Sequence, residues 1–491
     1  MLQDITVTYK YTDHEDKLSC QRGESLFSLC QKAGLRIEAN CGGRGVCGGC
    51  KVRFLSGAPL PKAQERKLIP AEELRDGYRL LCLAKAEQDC TIALPSDQTE
   101  IAGAAFTIDQ PAESDYICVD IGTTTVVVSY RDGVSGKILL TKGFVNPQRA
   151  WGADVISRLD AACSGKMDEV YGSIRKELIV NINNIMETIG RKGPVPVYIG
   201  ANTSMLYLLM GFDVRQIAQA PFAAEHLSEE RDTLAVSSGS CELICLPGFS
   251  AFVGADIYAD LLALSLPSVS EKLAQMKPPS PKETESKSGW RLLIDLGTNA
   301  ETVLFTGSDE TVRGYATASA AGSAFDKPAG SGLWGADLIS LCSRLLKEGV
   351  LDHTGAVNAS EEKEKELCAT YGLASPSALQ QVIRELQLAK AAVRTGIDVL
   401  LREAGLAYAN LDGIYLAGGF GKYLNMEDAV AVGLLPMVTG KEVSCGNLCI
   451  LGVSAYAAGK RLKKDVTCIN LAQEPDFQDR YMGHVNFPGK E

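Results

Sequence analysis

Two architectures are predicted along the 491 residues: a small α+β unit over 1–98, then a duplicated α/β unit with lobes at 115–288 and 289–491. Three observations predict them. The N-terminal stretch alternates as short strands around one helical segment. Inside it lies a glycine-rich cysteine loop, CGGRGVCGGC at 41–50. Downstream, one motif occurs twice: an apolar strand, Asp-x-Gly-Thr, then a second apolar strand. It reads YICVDIGTTTVVV at 116–128 and LLIDLGTNAETVL at 292–304.

The length allows about three domains, each with a sizeable core. Hydrophobic residues make up 46% and charged residues 22%, an ordinary globular balance. A net charge of −11 argues against a nucleic-acid partner, which favours a basic face. No apolar run reaches the roughly eighteen residues that a membrane span needs. The opening MLQDITVTYK has no apolar signal core. Sixteen cysteines are diluted along a long chain, so a cytoplasmic protein with reduced thiols is expected.

In chain order, ITVTY at 5–9 alternates as a strand, DHED at 13–16 is a turn, and 17–20 returns as a second strand. Residues 25–33 have helical spacing, with Leu26, Leu29 and Cys30 on one face. After the cysteine loop come a strand at 51–55, a charged stretch at 62–76 and two more short strands, the first within 78–83. Cys20, Cys30 and Cys90 fall outside the loop pattern and are expected as packing thiols. Residues 99–114 are small and polar and read as a short linker.

A second echo supports the duplication. WGADVISRL at 151–159 returns as WGADLISL at 334–341, and the two offsets, 175 for the Asp-x-Gly-Thr motif and 183 here, are nearly equal. Two similar lobes facing across a cleft are the expected result. Between the repeats, 195–211 reads as strand, loop and helix, and the Pro-, Lys- and Ser-rich 267–288 as a surface connection. Later, 378–404 carries Leu379, Val382, Leu386, Ala389, Val393, Ile397 and Leu400 at helical steps. A strand at 414–417 then runs into Gly418 and Gly419, which let a flat ring or phosphate approach backbone.

Cys41, Cys47 and Cys50 are spaced C-x5-C-x2-C among five glycines, and Cys82 stands in the apolar RLLCLA. An iron–sulfur cluster needs backbone free to curl round it and N–H groups directed at sulfur, which glycine permits. The plant-type [2Fe–2S] pattern is C-x4-C-x2-C with a remote fourth cysteine, and this loop has one residue more in its first gap. The alternatives are a structural zinc site or four unrelated buried cysteines. Zinc would more naturally show two C-x2-C knuckles, so the cluster is the better reading.

The Asp-x-Gly-Thr hairpins are neither a Walker loop nor G-x-G-x-x-G. Gly122, Thr123, Thr124 and Thr125 in the first, and Gly297, Thr298 and Asn299 in the second, offer backbone N–H groups and side-chain oxygens to phosphates. Asp120 and Asp295 would face Mg²⁺ through its waters. A water-activating group is harder to name. Asp154 is the candidate carried forward, and it stands against the reading of an aspartate that favours a helix start. Asp337, its counterpart in the repeat, Asn202, Thr203 and Glu301 are secondary candidates.

On these motifs the N-terminal unit resembles a β-grasp ferredoxin. The repeated hairpins with the late LAGGFG resemble the acetate kinase, sugar kinase, heat-shock-70 and actin superfamily (ASKHA), a duplicated ribonuclease-H-type ATPase fold. Nearly the whole chain is similar to the reductive activators of corrinoid proteins. That likeness rests on CGGRGVCGGC, DIGTTTVV, NPQRAWGADVISRL, GANTSMLYLLMG, DLGTNAE, ASAAGSAF, RELQLAKAAVRTGIDVLL and YLAGGFGKYLNMEDAVAVGLLP. The resemblance implies a [2Fe–2S] cluster, ATP and Mg²⁺. It implies transfer of one electron to Co(II) of a corrinoid protein, supplied by an unidentified low-potential donor, and leaves a homodimer open. Two other functions compete: a small-molecule kinase with a regulatory cysteine domain, and an ATP-gated module that delivers electrons to another enzyme.

Overall fold

The computed structural model describes residues 4–10, 15–33, 45, 48, 50–93, 114–267, 269, 289–308, 311–319, 335–373, 375–418, 424–436 and 442–489. Cys41, Cys47 and Gly419, nearly all of the expected linker and most of the connection at 267–288 lie outside them.

Strands β1 (Asp4–Lys10), β2 (Glu15–Gln21), β3 (Lys51–Ser56), β4 (Tyr78–Leu80) and β5 (Cys90–Ala93) form one sheet in the order β2-β1-β5-β3-β4. Its central pair, β1 and β5, is parallel, and the other pairs are antiparallel. Val7, Tyr9, Phe54 and Ile92 share a core with Leu26, Phe27 and Cys30 of the helix Leu26–Ala33. Cys20 and Cys90 join this core, as expected of packing thiols. The expected strand over 78–83 stops at Leu80, and Leu81–Leu83 is one 3-10 turn. Glu65 supports that end from inside: its carboxylate accepts the Leu80 and Lys62 N–H groups, each at 2.7 Å.

The two later sheets repeat one plan. The first holds β6 (Tyr116–Ile121), β7 (Thr125–Arg131), β8 (Ile138–Val145), β9 (Val197–Ala201), β10 (Glu230–Val236) and β11 (Gly239–Cys245) in the order β10-β11-β9-β6-β7-β8. The second holds β12 (Arg291–Leu296), β13 (Ala300–Ser308), β14 (Thr311–Ser319), β15 (Gly413–Ala417), β16 (Glu442–Gly446) and β17 (Lys463–Cys468) in the order β16-β15-β12-β13-β14-β17. In each, an antiparallel meander opens on the Asp-x-Gly-Thr hairpin and its first strand then pairs in parallel with a later strand. The duplication legible in the sequence is thus a duplication of topology. Long helices cover the outer faces, Met167–Ile189 on the first sheet and Pro376–Ala404 on the second. The second buries the seven apolar residues expected of it.

The lobes meet through two helices, Ala255–Leu264 and Leu448–Ala457, whose apolar residues share one core with both sheets. Their backbones approach closely at Gly452, where a Cβ would lie 1.8 Å from the Ala259 carbonyl oxygen. Tyr116 and Ser454 hydroxyls bond across the lobes at 2.8 Å. Among the described residues, no helix is long and apolar enough to cross a membrane.

Candidate functional site

Cys50 immediately precedes β3, and Cys82 sits in the 3-10 turn that follows β4. Because Lys51 pairs with Leu80, the turn folds back on the end of the cysteine loop. The Leu81 N–H reaches the Cys50 carbonyl at 2.9 Å, and the two sulfurs lie 3.2 Å apart. That is too long for a disulfide of about 2.05 Å. It approaches the edge, roughly 3.8 Å, of a tetrahedron of sulfurs about 2.3 Å from a metal. Gly45 and Gly48 adopt φ of +74° and +75°, and a Cβ on Gly45 would meet Leu83 Cδ2 at 2.9 Å. A larger residue there would need both a strained backbone and a displaced Leu83. These residues fit the cradle of a thiolate-held cluster. Cys50 is buried and Cys82 is half-buried.

The second site lies where the lobes face each other. The hairpins close through Gly122 N–H to the Thr125 carbonyl, 3.0 Å, and Gly297 N–H to the Asn299 carbonyl, 2.8 Å. Their tips touch: Thr124 Oγ1 and Thr298 Oγ1 are 2.9 Å apart. The first tip is tethered from behind. Asn146 Nδ2 donates to the Gly122 carbonyl at 2.9 Å, and Asn202 Nδ2 donates to Thr123 Oγ1 at 3.2 Å. Gly418, at the end of β15, has φ of +84°, and a Cβ there would fall 2.3 Å from Asp295 Oδ1. Only glycine fits without moving that carboxylate.

Five acids gather behind the tips. Asp120, the penultimate residue of β6, accepts Asn447 Nδ2 at 2.6 Å, while Asn447 Oδ1 caps the helix Leu448–Ala457. Asp295 stands directly opposite Glu301 in the β12–β13 register, whereas Val127 faces Asp120 in the first hairpin. Like charges in such a pair destabilise a sheet. Asp256 and Asp260 are one turn apart on the helix Ala255–Leu264 and so share a face. Asp260 is fully buried, and neither oxygen meets an N–H or O–H donor among the described residues. Its carboxyl adjoins Asp295, so the pair is satisfied when Asp260 carries a proton and donates it.

Burial raises all five, and repulsion from neighbouring acids raises Asp256, Asp260, Asp295 and Glu301 further. Asp256 is pushed up to about 7, by burial and then by Asp295. Asp295 is pushed up to about 6 by burial and Asp120, against the opposing bond from Asp260. Asp260 and Glu301 lie well above the carboxylate range for the same reasons. Asp120 is raised by burial and held back by Asn447 and Cys449. A carboxyl raised in the folded state stabilises it below the unfolded value and loses that stabilisation as pH rises through the folded value. The nucleotide- and metal-free protein is therefore expected to lose thermal stability between about pH 4 and pH 7 from this cluster. Asp256→Asn is expected to flatten that slope in melts across pH, and an unchanged slope would remove Asp256 from the coupled set.

Asp154 is placed otherwise than the catalytic expectation had it. Its two oxygens accept the Ser157 N–H at 2.7 Å and the Ser157 hydroxyl at 2.9 Å, capping the helix Val155–Ala161. The helix-start reading accounts for it. Asp256, Asp260 and Asn447 were not anticipated. The pair of aspartates four apart in the apolar run GADIYADLLAL was a usable signal, whereas the contact of Asn447 with Asp120 is purely tertiary. Cys241 and Cys245 are buried in β11 and Cys449 is buried in its helix, where they serve as packing thiols. No three Asp, Glu, His or Cys side chains among the described residues converge to hold a metal directly.

Comparison with known proteins matches three family models in succession. They are a 2Fe-2S iron-sulfur cluster binding domain at 11–87, the RACo middle region at 116–268, and the C-terminal domain of RACo, the ASKHA domain, at 326–491. The corrinoid activation enzyme RamQ of Eubacterium limosum is 27% identical over 478 residues, covering 84% of this chain and 75% of RamQ. One component of the Na(+)-translocating NADH-quinone reductase of Idiomarina loihiensis is 34% identical over 85 residues, only 17% of this chain and 21% of that component. A solved structure named as a reductive activator for corrinoid, iron-sulfur protein shares the fold, with a TM-score of 0.59 and 22% identity over 99% of both chains. With two models of one family in tandem behind a 2Fe-2S domain, the chain belongs to the reductive activators of corrinoid proteins.

Proposed function

We propose that the chain is an ATP-dependent activator that passes one electron from a [2Fe–2S] cluster to the Co(II) corrinoid of a partner protein, regenerating Co(I). The observation that carries this reading is the joining, in one chain, of the Cys50–Cys82 pair and a two-lobed cleft whose duplicated hairpin tips touch. Cys41, Cys47, Cys50 and Cys82 would hold the cluster, which supplies a one-electron centre when bound. Backbone N–H groups within the tips Gly122–Thr125 and Gly297–Asn299, other than those of Gly122 and Gly297 that close the hairpins, would with the threonine hydroxyls hold the β- and γ-phosphates. Gly418 and Gly419 would leave room for the adenosine. Asp120 and Asp295 would face Mg²⁺ through water.

Coupling follows from the energetics. A plant-type cluster lies near about −400 mV, and Co(I) demands a stronger reductant. Each shortfall of about 59 mV costs tenfold in a one-electron equilibrium. ATP can offset it only if the states of the protein that it favours also differ in their hold on the partner. Phosphates entering between Thr124 and Thr298 would separate the tips and bias the shared helices Ala255–Leu264 and Leu448–Ala457, which carry Asp256, Asp260 and, as cap, Asn447.

The test is an anaerobic visible-spectrum assay of reduced protein with Co(II) corrinoid protein, with and without Mg-ATP. Co(I) is expected only with ATP. Absence of Co(I) with every corrinoid protein tried, together with phosphorylation of a small molecule, would transfer the reading to a kinase.

A further inference from the structure

The two WGAD repeats differ in charge at one buried position. Seven residues past the tryptophan the first half has Arg158 and the second has Leu341. Arg158 is wholly buried, and Leu341 is buried in its own lobe. A guanidinium without solvent is costly unless it is fully engaged, and the duplicate half carries a hydrocarbon at the matching place in its sequence. What the cation serves is read from its partners.

Its bonds say what. Arg158 Nη2 donates to the Thr123 carbonyl at 2.6 Å, Nε donates to the Gly152 carbonyl at 2.9 Å, and Nη1 lies 3.3 Å from Met205 Sδ. A trans peptide sets its carbonyl and the next N–H on opposite sides. With the Thr123 carbonyl drawn back onto Arg158, the Thr124 N–H points the other way. The Gly122 carbonyl is drawn back in turn onto Asn146, which turns the Thr123 N–H likewise. Two successive N–H groups so oriented make a concave anion site, and a permanent positive charge stands behind it.

We propose that Arg158 is the positioning residue of the first phosphate hairpin: it fixes the Thr123–Thr124 peptide so that its N–H faces the nucleotide phosphates. This rests on the nucleotide reading of the cleft. Asn146 and Asn202 hold the same loop but bring no charge, so the Arg158 contribution grows with the number of phosphates bound.

The experiment measures binding of ATP, ADP and AMP, each with Mg²⁺, to the full chain, its Arg158→Leu variant and its Arg158→Lys variant, with a thermal melt of each. Arg158→Leu, which installs the residue of the duplicate half, is expected to weaken ATP at least tenfold, ADP less, and AMP less than threefold. Arg158→Lys keeps the charge but cannot span both carbonyls, and it is expected to fall between. A merely structural role would weaken all three nucleotides alike, and that result overturns the proposal, as does ATP affinity within twofold of the parent. If Arg158→Leu does not fold, Arg158→Lys decides by the same graded loss. Absence of ATP binding by the unaltered chain overturns the nucleotide reading and this proposal with it. Binding that Arg158 variants leave unchanged overturns this proposal alone.

Discussion

Cys82→Ala is expected to eliminate the visible absorption of the iron–sulfur centre and all Co(I) formation, while ATP binding remains. The physical basis is the 3.2 Å approach of Cys82 to Cys50. These sulfurs are brought together by the β3–β4 pairing, and the turn at Leu81–Leu83 is pinned by the Leu81 N–H on the Cys50 carbonyl. Alanine leaves that backbone contact intact but removes one of the four proposed thiolates. Cys20→Ala is the control. Cys20 packs in the core of the same domain and is expected to leave both spectrum and iron content unchanged. Measured iron, inorganic sulfide and visible spectra decide the matter. A full cluster in Cys82→Ala would withdraw Cys82 from the ligand set, and tight zinc with no sulfide in the unaltered protein would make the cysteine loop a structural zinc site.

Legibility in the sequence followed the range of the interactions. The repeated hairpins were readable because each is a local unit: apolar strand, turn, apolar strand, with Asp120 and Asp295 placed by the turn itself. The long helix at Pro376–Ala404 announced its buried stripe by spacing alone. The end of β4 was not readable. The run at 78–83 is apolar enough for a strand, but Ala84 N–H turns back to the Leu80 and Leu81 carbonyls and closes a 3-10 turn instead. Asp154 was ambiguous because a helix cap and a catalytic acid look the same in one dimension, and the structure adds its two capping bonds to Ser157. The acid cluster was half legible. Glu301 was a secondary candidate from its place beside the second loop, but Asp256 and Asp260 reach the cleft only because the helix Ala255–Leu264 packs between the lobes at Gly452.

The same cluster predicts that activity and stability oppose each other at Asp295. Asp295→Asn is expected to lower partner-stimulated ATP turnover about 100-fold or more, the scale seen when one preorganised electrostatic group is removed from an active site. It is expected at the same time to raise the melting temperature of the nucleotide-free protein at pH 8. At that pH Asp295, pushed up only to about 6, is charged beside Asp260, Asp256, Glu301 and Asp120. Replacing one charge in such a group by an amide relieves repulsion, and the amide oxygen can still accept the proton of Asp260. A residue kept for packing alone would give the reverse, since losing a structural partner lowers stability. Cluster absorbance should be unchanged, because Cys50 and Cys82 adjoin β3 and β4 of a separate sheet. Turnover within a few-fold of the parent would remove Asp295 from the phosphate site. A fall in melting temperature together with lost turnover would mark it as a structural acid. The predicted pairing of higher stability with lost turnover is what separates a carboxylate held against its neighbours for a cation from one that merely completes the fold.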